Sequence, residues 1–265
     1  MKKIIFISML FLAACSPKPV ATVINNIPTT SIVVDGKLFA TIFQQKAAEY
    51  RALCFQAYNI ARLRLDNYKP YSTRPKAIVT DIDETLLDNS PYEAHQVLQG
   101  KDYDPVSWNE WTGLGAADTM PGSASFLKYA ASRGVTIFYI TNRDEKERAG
   151  TLKNLKFFSL PNADSMHLMT RQSTSSKEAR RLAVSATHEI VMLLGDNLAD
   201  FSILFDKRTV DERLRNTDFS ATDFGNRFIV LPNTTYGDWE PAMYKYNKYT
   251  LAQKDSVMKA ILKTY

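Results

Sequence analysis

Two aspartates separated by one residue, in Val79-Thr80-Asp81-Ile82-Asp83-Glu84-Thr85, follow directly on a short apolar run, Ala77-Ile78-Val79-Thr80. Carboxylates emerging at the end of a buried strand are costly to desolvate unless something positive sits between them, and a divalent metal ion does this well. On an extended strand end the same spacing separates two tasks: one carboxylate can attack an electrophile while its neighbour, turned the other way, handles protons. Alone the pattern is weak, because turns are rich in aspartate. Three further clusters strengthen it. Phe138-Tyr139-Ile140-Thr141-Asn142-Arg143 sets a hydroxyl and an amide at the end of a second apolar run. Leu193-Leu194-Gly195-Asp196-Asn197-Leu198-Ala199-Asp200 sets two more carboxylates at the end of a later one. Between them, Ser175 and Glu178 have capping-box spacing. That places Lys177 in a first helical turn, where the helix dipole disfavours a cation. A lysine held there points to a nearby anion, a phosphate or an aspartate; the alternative is an exposed surface lysine.

The elements that must carry these groups are legible as short apolar runs at 77–80, 135–140, 166–169, 190–194 and 228–231, alternating with amphipathic stretches at 122–133, 144–158, 176–187 and 197–204. Continuous apolar strands separated by helices indicate an α/β domain with a doubly wound parallel sheet, whose ligands bind beyond the carboxyl ends of the strands. Residues 90–120 are polar and aromatic and read as a small inserted helical cap. Upstream, Phe39, Phe43, Ala47, Tyr50, Leu53, Ala57, Ile60 and Ala61 recur at helical spacing within 37–67, one long helix or two abutting ones, ended by Pro70 and Pro75. The tail, 240–265, also reads as helical.

Lys2 and Lys3 precede an apolar run at 4–12 that is too short to span a bilayer, so the N-terminus reads as a secretory leader. Leu12-Ala13-Ala14-Cys15 resembles a bacterial lipobox, in which the mature chain begins at a lipidated cysteine. The expected division is therefore a lipoprotein signal over 1–15 with lipidation at Cys15, a tether over 16–36, and one catalytic domain over 37–265 that holds the cap. Ser16, rather than aspartate, follows the cysteine, which favours the outer membrane of a bacterial envelope. Cys54 is then left alone without an internal disulfide. The net charge of +5 is mild and no basic run accompanies it. That balance suits small anionic substrates or an anionic membrane and speaks against a nucleic acid polymer as partner. His95, His167 and His188 form no ligand set.

Taken in order, Asp81-x-Asp83-x-Thr85, Thr141, Lys177 and Gly195-Asp196-x-x-x-Asp200 resemble the four motifs of the haloacid dehalogenase superfamily of phosphotransferases, over residues 76–231. The lipobox, Glu49-Tyr50-Arg51-Ala52, the stretch Asp81-Ile82-Asp83-Glu84-Thr85-Leu86-Leu87-Asp88-Asn89-Ser90, and the Trp-x-x-Trp of Trp108 and Trp111 narrow the likeness further. Together they look like the class C acid phosphatases, the bacterial lipoprotein e family with 5′-nucleotidase activity. The resemblance implies that Asp81 attacks phosphorus to form an aspartyl-phosphate, and that Asp83 protonates the leaving oxygen and then activates water. It implies Mg²⁺ on the Asp81 carboxylate, the Asp83 carbonyl and Asp196, with Asp200 orienting a metal-bound water; Mn²⁺ suits the same all-oxygen ligands. Thr141 and Lys177 would hold phosphoryl oxygens, helped by Asn142, while Arg143 stands open between that task and a structural one. Trp108 and Tyr236 would clamp a nucleobase by stacking, packing being the other use of such rings. The implied substrates are nucleoside 5′-monophosphates and other small phosphomonoesters. The alternatives are a broad or sugar-phosphate phosphatase, and a surface lipoprotein that binds haem or a host ligand on a phosphatase fold. A pure binder has no need of Asp81, Asp83, Lys177, Asp196 and Asp200 together. Pairing into a homodimer stays open.

Overall fold

A computed structural model describes residues 31–265. The leader, Cys15 and residues 16–30 of the expected tether lie outside the described residues. Residues 32–36, expected as the end of that tether, are instead helix. The first helix, α1 (Ile32–Lys46), starts there because Ser31 caps it: the Ser31 Oγ accepts from the Val33 N–H at 3.2 Å and donates to Asp255 at 2.9 Å. Helix α2 (Ala48–Asp66) follows after a single extended residue, Ala47, so the 37–67 stretch is two abutting helices.

In chain order there follow β1 (Lys76–Thr80), β2 (Leu87–Asp88), α3 (Ser90–Leu98), α4 (Pro105–Leu114), β3 (Asp118–Thr119), α5 (Ser123–Ser132), β4 (Thr136–Asp144) and α6 (Arg148–Phe157). After these come β5 (Leu168–Arg171), α7 (Glu178–Thr187), β6 (Glu189–Gly195), α8 (Val210–Phe219), β7 (Phe228–Val230), α9 (Trp239–Met243) and α10 (Leu251–Ile261). Five strands form one parallel sheet in the order β5-β4-β1-β6-β7. The chain winds outward from β1 through β4 to β5, then returns to the other side of β1 for β6 and β7. The carboxyl end of β1 is therefore the topological switch point, where open α/β sheets bind ligands.

Both faces of the sheet are covered, which is why its strands read as unbroken apolar runs. Ile78, Ile137, Tyr139, Met192 and Leu194 pack on one face against Cys54, Ala57 and Tyr58 of α2 and Phe126 and Leu127 of α5. Their alternates Ala77, Val79, Phe138, Ile140 and Leu193 pack on the other face with Val184 of α7 and with Phe201. Cys54 is fully buried, and burial pushes its thiol up to about 12. The short strands β2 and β3 pair antiparallel, Leu87 opposite Thr119, and the helices α3 and α4 lie between them in the chain. Helix α1 packs on α3 and on α10. Among the described residues no helix is long and apolar enough to cross a membrane.

Three segments depart from the sequence reading. Residues 197–204 form two short 3₁₀ turns, Leu198–Asp200 and Ile203–Phe205, because the Asp200 carboxylate turns back to accept the Asn197 N–H at 3.1 Å. Strand β5 begins at Leu168 rather than 166, since Asp164 holds the N–H groups of Met166 and His167 in a turn, at 2.9 and 3.0 Å. The tail is two helices, α9 and α10, with α10 opened by a Thr250–Gln253 capping box.

Candidate active site

Strand β1 does not release the chain at Thr80. The Asp81 N–H still donates to the Leu194 carbonyl at 2.9 Å, so the Asp81 side chain starts from a fixed point on the sheet. Beyond it the backbone closes a tight loop: the N–H groups of Leu86 and Leu87 both donate to the Ile82 carbonyl, at 2.8 and 2.9 Å. Tyr58 of α2 braces the loop by donating to the Thr85 carbonyl at 2.5 Å. Glu84 takes a left-handed conformation, φ 52°, which strains a residue with a Cβ by about 1 kcal/mol or more. Its buried carboxylate holds the strain in place by accepting from the Asn89 N–H at 2.7 Å and from the Tyr236 hydroxyl. Burial, with Asp83 close by, pushes Glu84 up to about 8.

Asp81 meets Asp196 and Asp200 at the ends of β1 and β6. One carboxylate oxygen from each lies within 4.8 Å of the others. The Thr85 hydroxyl, at 3.2 Å, and the Asn233 amide, at 2.7 Å, each hold one oxygen of Asp196. Asp200 approaches so near the backbone that only glycine fits opposite: a Cβ on Gly195 would lie 2.5 Å from an Asp200 carboxylate oxygen. Lys177, buried, sits between Asp81 and Asp200, contacting the former and reaching the latter at 2.7 Å. The anions it serves are thus aspartates. Its placement differs from the capping-box reading: Lys177 is itself the N-cap residue of α7, and Ser176 rather than Ser175 accepts the Glu178 N–H, at 3.4 Å.

One ammonium cannot balance three clustered carboxylates, two of them buried and the third partly so. Burial lifts Asp81 to about 7 against the pull of Lys177, with Asp200 and Asp83 adding to the rise. Burial, then Asp200 and Asp81, lift Asp196 well above the carboxylate range. Burial opposes the charge of Lys177, yet Asp200 and Asp81 outweigh it and raise its pKa. A donor set made wholly of oxygens, short of positive charge, fits a hard divalent cation.

Asp83 stands apart from that set. Its carboxylate accepts from Arg143 Nε at 3.0 and 3.2 Å, from Arg143 Nη2 at 2.7 Å and from the Asn89 amide at 2.9 Å. Arg143, left open by the sequence, is therefore the principal partner of Asp83, and its Nη1 is held in turn by Thr151 at 3.1 Å. Thr141 is fully buried, and its hydroxyl oxygen accepts from the Arg143 N–H at 3.0 Å. Asn142 is exposed on the cavity, and its amide oxygen accepts from Arg180 at 2.8 Å.

These groups floor a cavity of about 590 Å³, on which Trp108 of α4 and Tyr236 of the loop after β7 also stand. The Trp108 ring packs edge-on against Tyr92, centroids 5.0 Å apart, with the Arg143 guanidinium 5.8 Å from its centre. Tyr236 reaches inward to Glu84 through its hydroxyl and leaves its ring on the cavity. Sequence reasoning passed over Glu84, Asn89 and Asn233 as working residues. Asn233 carried a usable signal, a polar amide just past the end of a parallel strand; Glu84 and Asn89 carried none beyond lying beside the Asp-x-Asp loop.

Reversal of strand order at β1, an acidic loop just beyond it and helices inserted between the strands of the following β-pair make this a haloacid dehalogenase-like α/β phosphotransferase fold. Comparison with known proteins narrows the class. Residues 4–239 match the family described as HAD superfamily, subfamily IIIB (Acid phosphatase), and the chain belongs to that family. It is 42% identical to the class C acid phosphatase from Bacillus anthracis, with a TM-score of 0.85 over 88% of this chain and 99% of that one. A second structure of the Bacillus anthracis class C acid phosphatase, with tungstate bound, gives 41% identity and a TM-score of 0.83 over 88% and 98% of the two chains. Acid phosphatase 1 from Solanum lycopersicum is 31% identical over 77 residues, 29% of this chain and 30% of that protein. The chain spans less than half the length of the curated relatives it matches.

Proposed function

We propose that this protein is a Mg²⁺-dependent acid phosphatase that hydrolyses nucleoside 5′-monophosphates and related small phosphomonoesters through an aspartyl-phosphate on Asp81. The observation that carries the reading is the lysine-bridged cluster of Asp81, Asp200 and Asp196 at the switch point of the sheet. Tungstate in a neighbour of 41% identity adds support, since it is a tetrahedral oxyanion like phosphate.

An Asp81 oxygen attacks phosphorus, the bond from phosphorus to the leaving oxygen breaks, and that oxygen takes a proton from Asp83. In the second half Asp83 accepts a proton from water, the water oxygen attacks phosphorus, and the bond to Asp81 breaks to free inorganic phosphate. Lys177 keeps Asp81 oriented and offers positive charge to the phosphoryl oxygens, as does the Asn142 amide at the cavity edge. Mg²⁺ held by Asp81 and Asp196, with Asp200 beside them and the Asp83 carbonyl as a further ligand, would neutralise the phosphoryl charge that would otherwise repel the nucleophile. Thr141 acts through Arg143: fully buried, it fixes the backbone from which the guanidinium reaches Asp83. The rings of Trp108 and Tyr236 supply stacking surface for a base.

The reading extends to location: export through the N-terminal leader and lipidation at Cys15, leaving the enzyme anchored at the bacterial envelope. Loss of labelled fatty acid on Cys15→Ser tests it.

Phosphate release from AMP and from glucose 6-phosphate, with Mg²⁺ or chelator, tests the activity. The expected result is metal-dependent release that Asp81→Asn abolishes, with Trp108→Ala lowering the AMP-to-sugar ratio. A folded, metal-loaded protein that releases no phosphate refutes the proposal and returns the reading to a binding lipoprotein.

A further inference from the structure

Away from the aspartate cluster the cavity has a second polar wall, made by Lys37 of α1 and Glu93 of α3. Both are more than nine-tenths buried, at 7% and 3% exposure. Behind them runs a chain of ion pairs: Lys37 to Asp102 at 2.5 Å, Asp102 to Lys254 at 3.1 Å and Lys254 to Glu240 at 3.1 Å. Two lysines thus face three carboxylates. Asp102 and Glu240 each have an ion-pair partner, and the unmatched carboxylate is Glu93. Among the described residues its side chain makes no hydrogen bond and no ion pair, although it lines the cavity. Its oxygens are thus left to the cavity rather than to a protein donor, and burial pushes Glu93 up to about 7 even with Lys37 nearby. The mechanism above makes no use of this group.

We propose that Glu93 and Lys37 form a subsite for the hydroxyl groups of the leaving alcohol, with Glu93 as a specificity-determining residue that reads a vicinal diol such as that of ribose. The inference rests on the phosphatase reading and deepens it. The chemistry of the wall selects the ligand. A hydroxyl both donates and accepts, so it can donate to a Glu93 oxygen while accepting from the Lys37 ammonium, which spends one recorded hydrogen bond on Asp102. A second phosphate would meet the Glu93 carboxylate, and an ammonium group would meet Lys37. A carboxylate presents two acceptor oxygens side by side, and a vicinal diol presents two adjacent hydroxyl donors that can each reach one of them. An apolar leaving group would leave Glu93 as unpaired as it is in the free protein, and sites built for a hydroxyl reject analogues without one for that reason.

The test compares kcat/KM for AMP and for 2′,3′-dideoxy-AMP in the full-length, Mg²⁺-loaded protein, in wild type, Glu93→Gln and Glu93→Ala. Wild type should prefer AMP by about tenfold or more. The preference should shrink in Glu93→Gln, which keeps one acceptor and the side-chain volume, and fall to about one in Glu93→Ala. A merely structural role would lower both substrates in parallel. A wild-type preference near one, or a preference that both substitutions leave intact, overturns the subsite while the phosphatase reading stands. Wild-type protein that hydrolyses neither substrate refutes the phosphatase reading itself and the subsite with it.

Discussion

With metal removed, this protein should become less stable as pH rises from about 4.5 to 7.5, the reverse of the usual trend for a protein rich in paired carboxylates. The cause is the surplus of negative charge at the switch point. Burial, aided by Asp200 and Asp83, raises Asp81 from 3.8 to about 7. A carboxyl with a raised folded pKa binds its proton more tightly in the fold than in the unfolded chain. Its stabilising contribution is complete below the unfolded value near pH 4 and is lost as pH climbs through 7. A rise of that size is worth roughly 4 kcal/mol. At about 2–4 °C per kcal/mol for a domain of this size, the thermal midpoint should fall by roughly 10 °C. Asp196, shifted the same way, and Glu84, pushed up to about 8, steepen the fall. His188, half-exposed and lowered by burial, opposes it weakly. Asp102, where burial is outweighed by Lys37 and the pKa drops to about 2, acts below the window. Differential scanning fluorimetry in chelator across the window measures the slope. A parallel series in millimolar Mg²⁺ should remove the part that Asp81 and Asp196 contribute, because the cation takes the place of their protons, and leave the smaller slope of Glu84 and Glu93. A chelated midpoint that stays level or rises across the window would show that the three aspartates are not held at the expense of their charge.

Two further outcomes follow from contacts at the site. Gly195→Ala places a Cβ 2.5 Å from the Asp200 carboxylate, so Asp200 must leave Lys177; overpacking of this kind costs about 1–3 kcal/mol, and Mg²⁺ affinity measured by calorimetry should drop by tenfold or more. Wild-type affinity would sink the close-approach argument. Arg143→Ala strands the Asp83 carboxylate and should cost about 3 kcal/mol in urea unfolding, most of it recovered in the double substitution Arg143→Ala with Asp83→Asn; additive losses would show that the pair is not coupled.

Where the sequence was legible, burial on both sides made it so. Strands β1, β4 and β6 lie between two helical layers and show as continuous apolar runs, so the chemistry-bearing residues that end them could be placed at one edge of one sheet. Helix α8 went unseen for the converse reason: its only buried side chain is Arg213, which donates to the Phe205 carbonyl at 3.1 Å, so no apolar stripe marks it. Its Thr209–Glu212 capping box was the available signal. Residues 197–204 have the composition of a helix, but tertiary demand won, since Asp200 must fold back over Gly195 to reach Lys177. The pairing of Asp83 with Arg143 spans 60 residues and exists only because β4 lies beside β1, a fact of topology that local pattern does not carry. Lys177 was found by position while its local rationale differed: the site aspartates, not a Ser175 cap, fix it.

Asn89 joins the catalytic loop to the helices inserted after it. Its N–H goes to Glu84, its amide nitrogen to Asp83, and its oxygen accepts the indole N–H of Trp111 at 2.9 Å. The chain has three tryptophans: Trp111 is two hydrogen bonds from Asp83 through Asn89, Trp108 stands on the cavity, and Trp239 donates to the Tyr236 carbonyl at 3.1 Å. Trp108 therefore reports on the cavity directly, while Trp111 and Trp239 are tied to its walls through Asn89 and Tyr236. Occupancy of that pocket is readable as an intrinsic optical signal, with no label attached and no turnover required, which makes non-hydrolysed ligands as measurable as substrates.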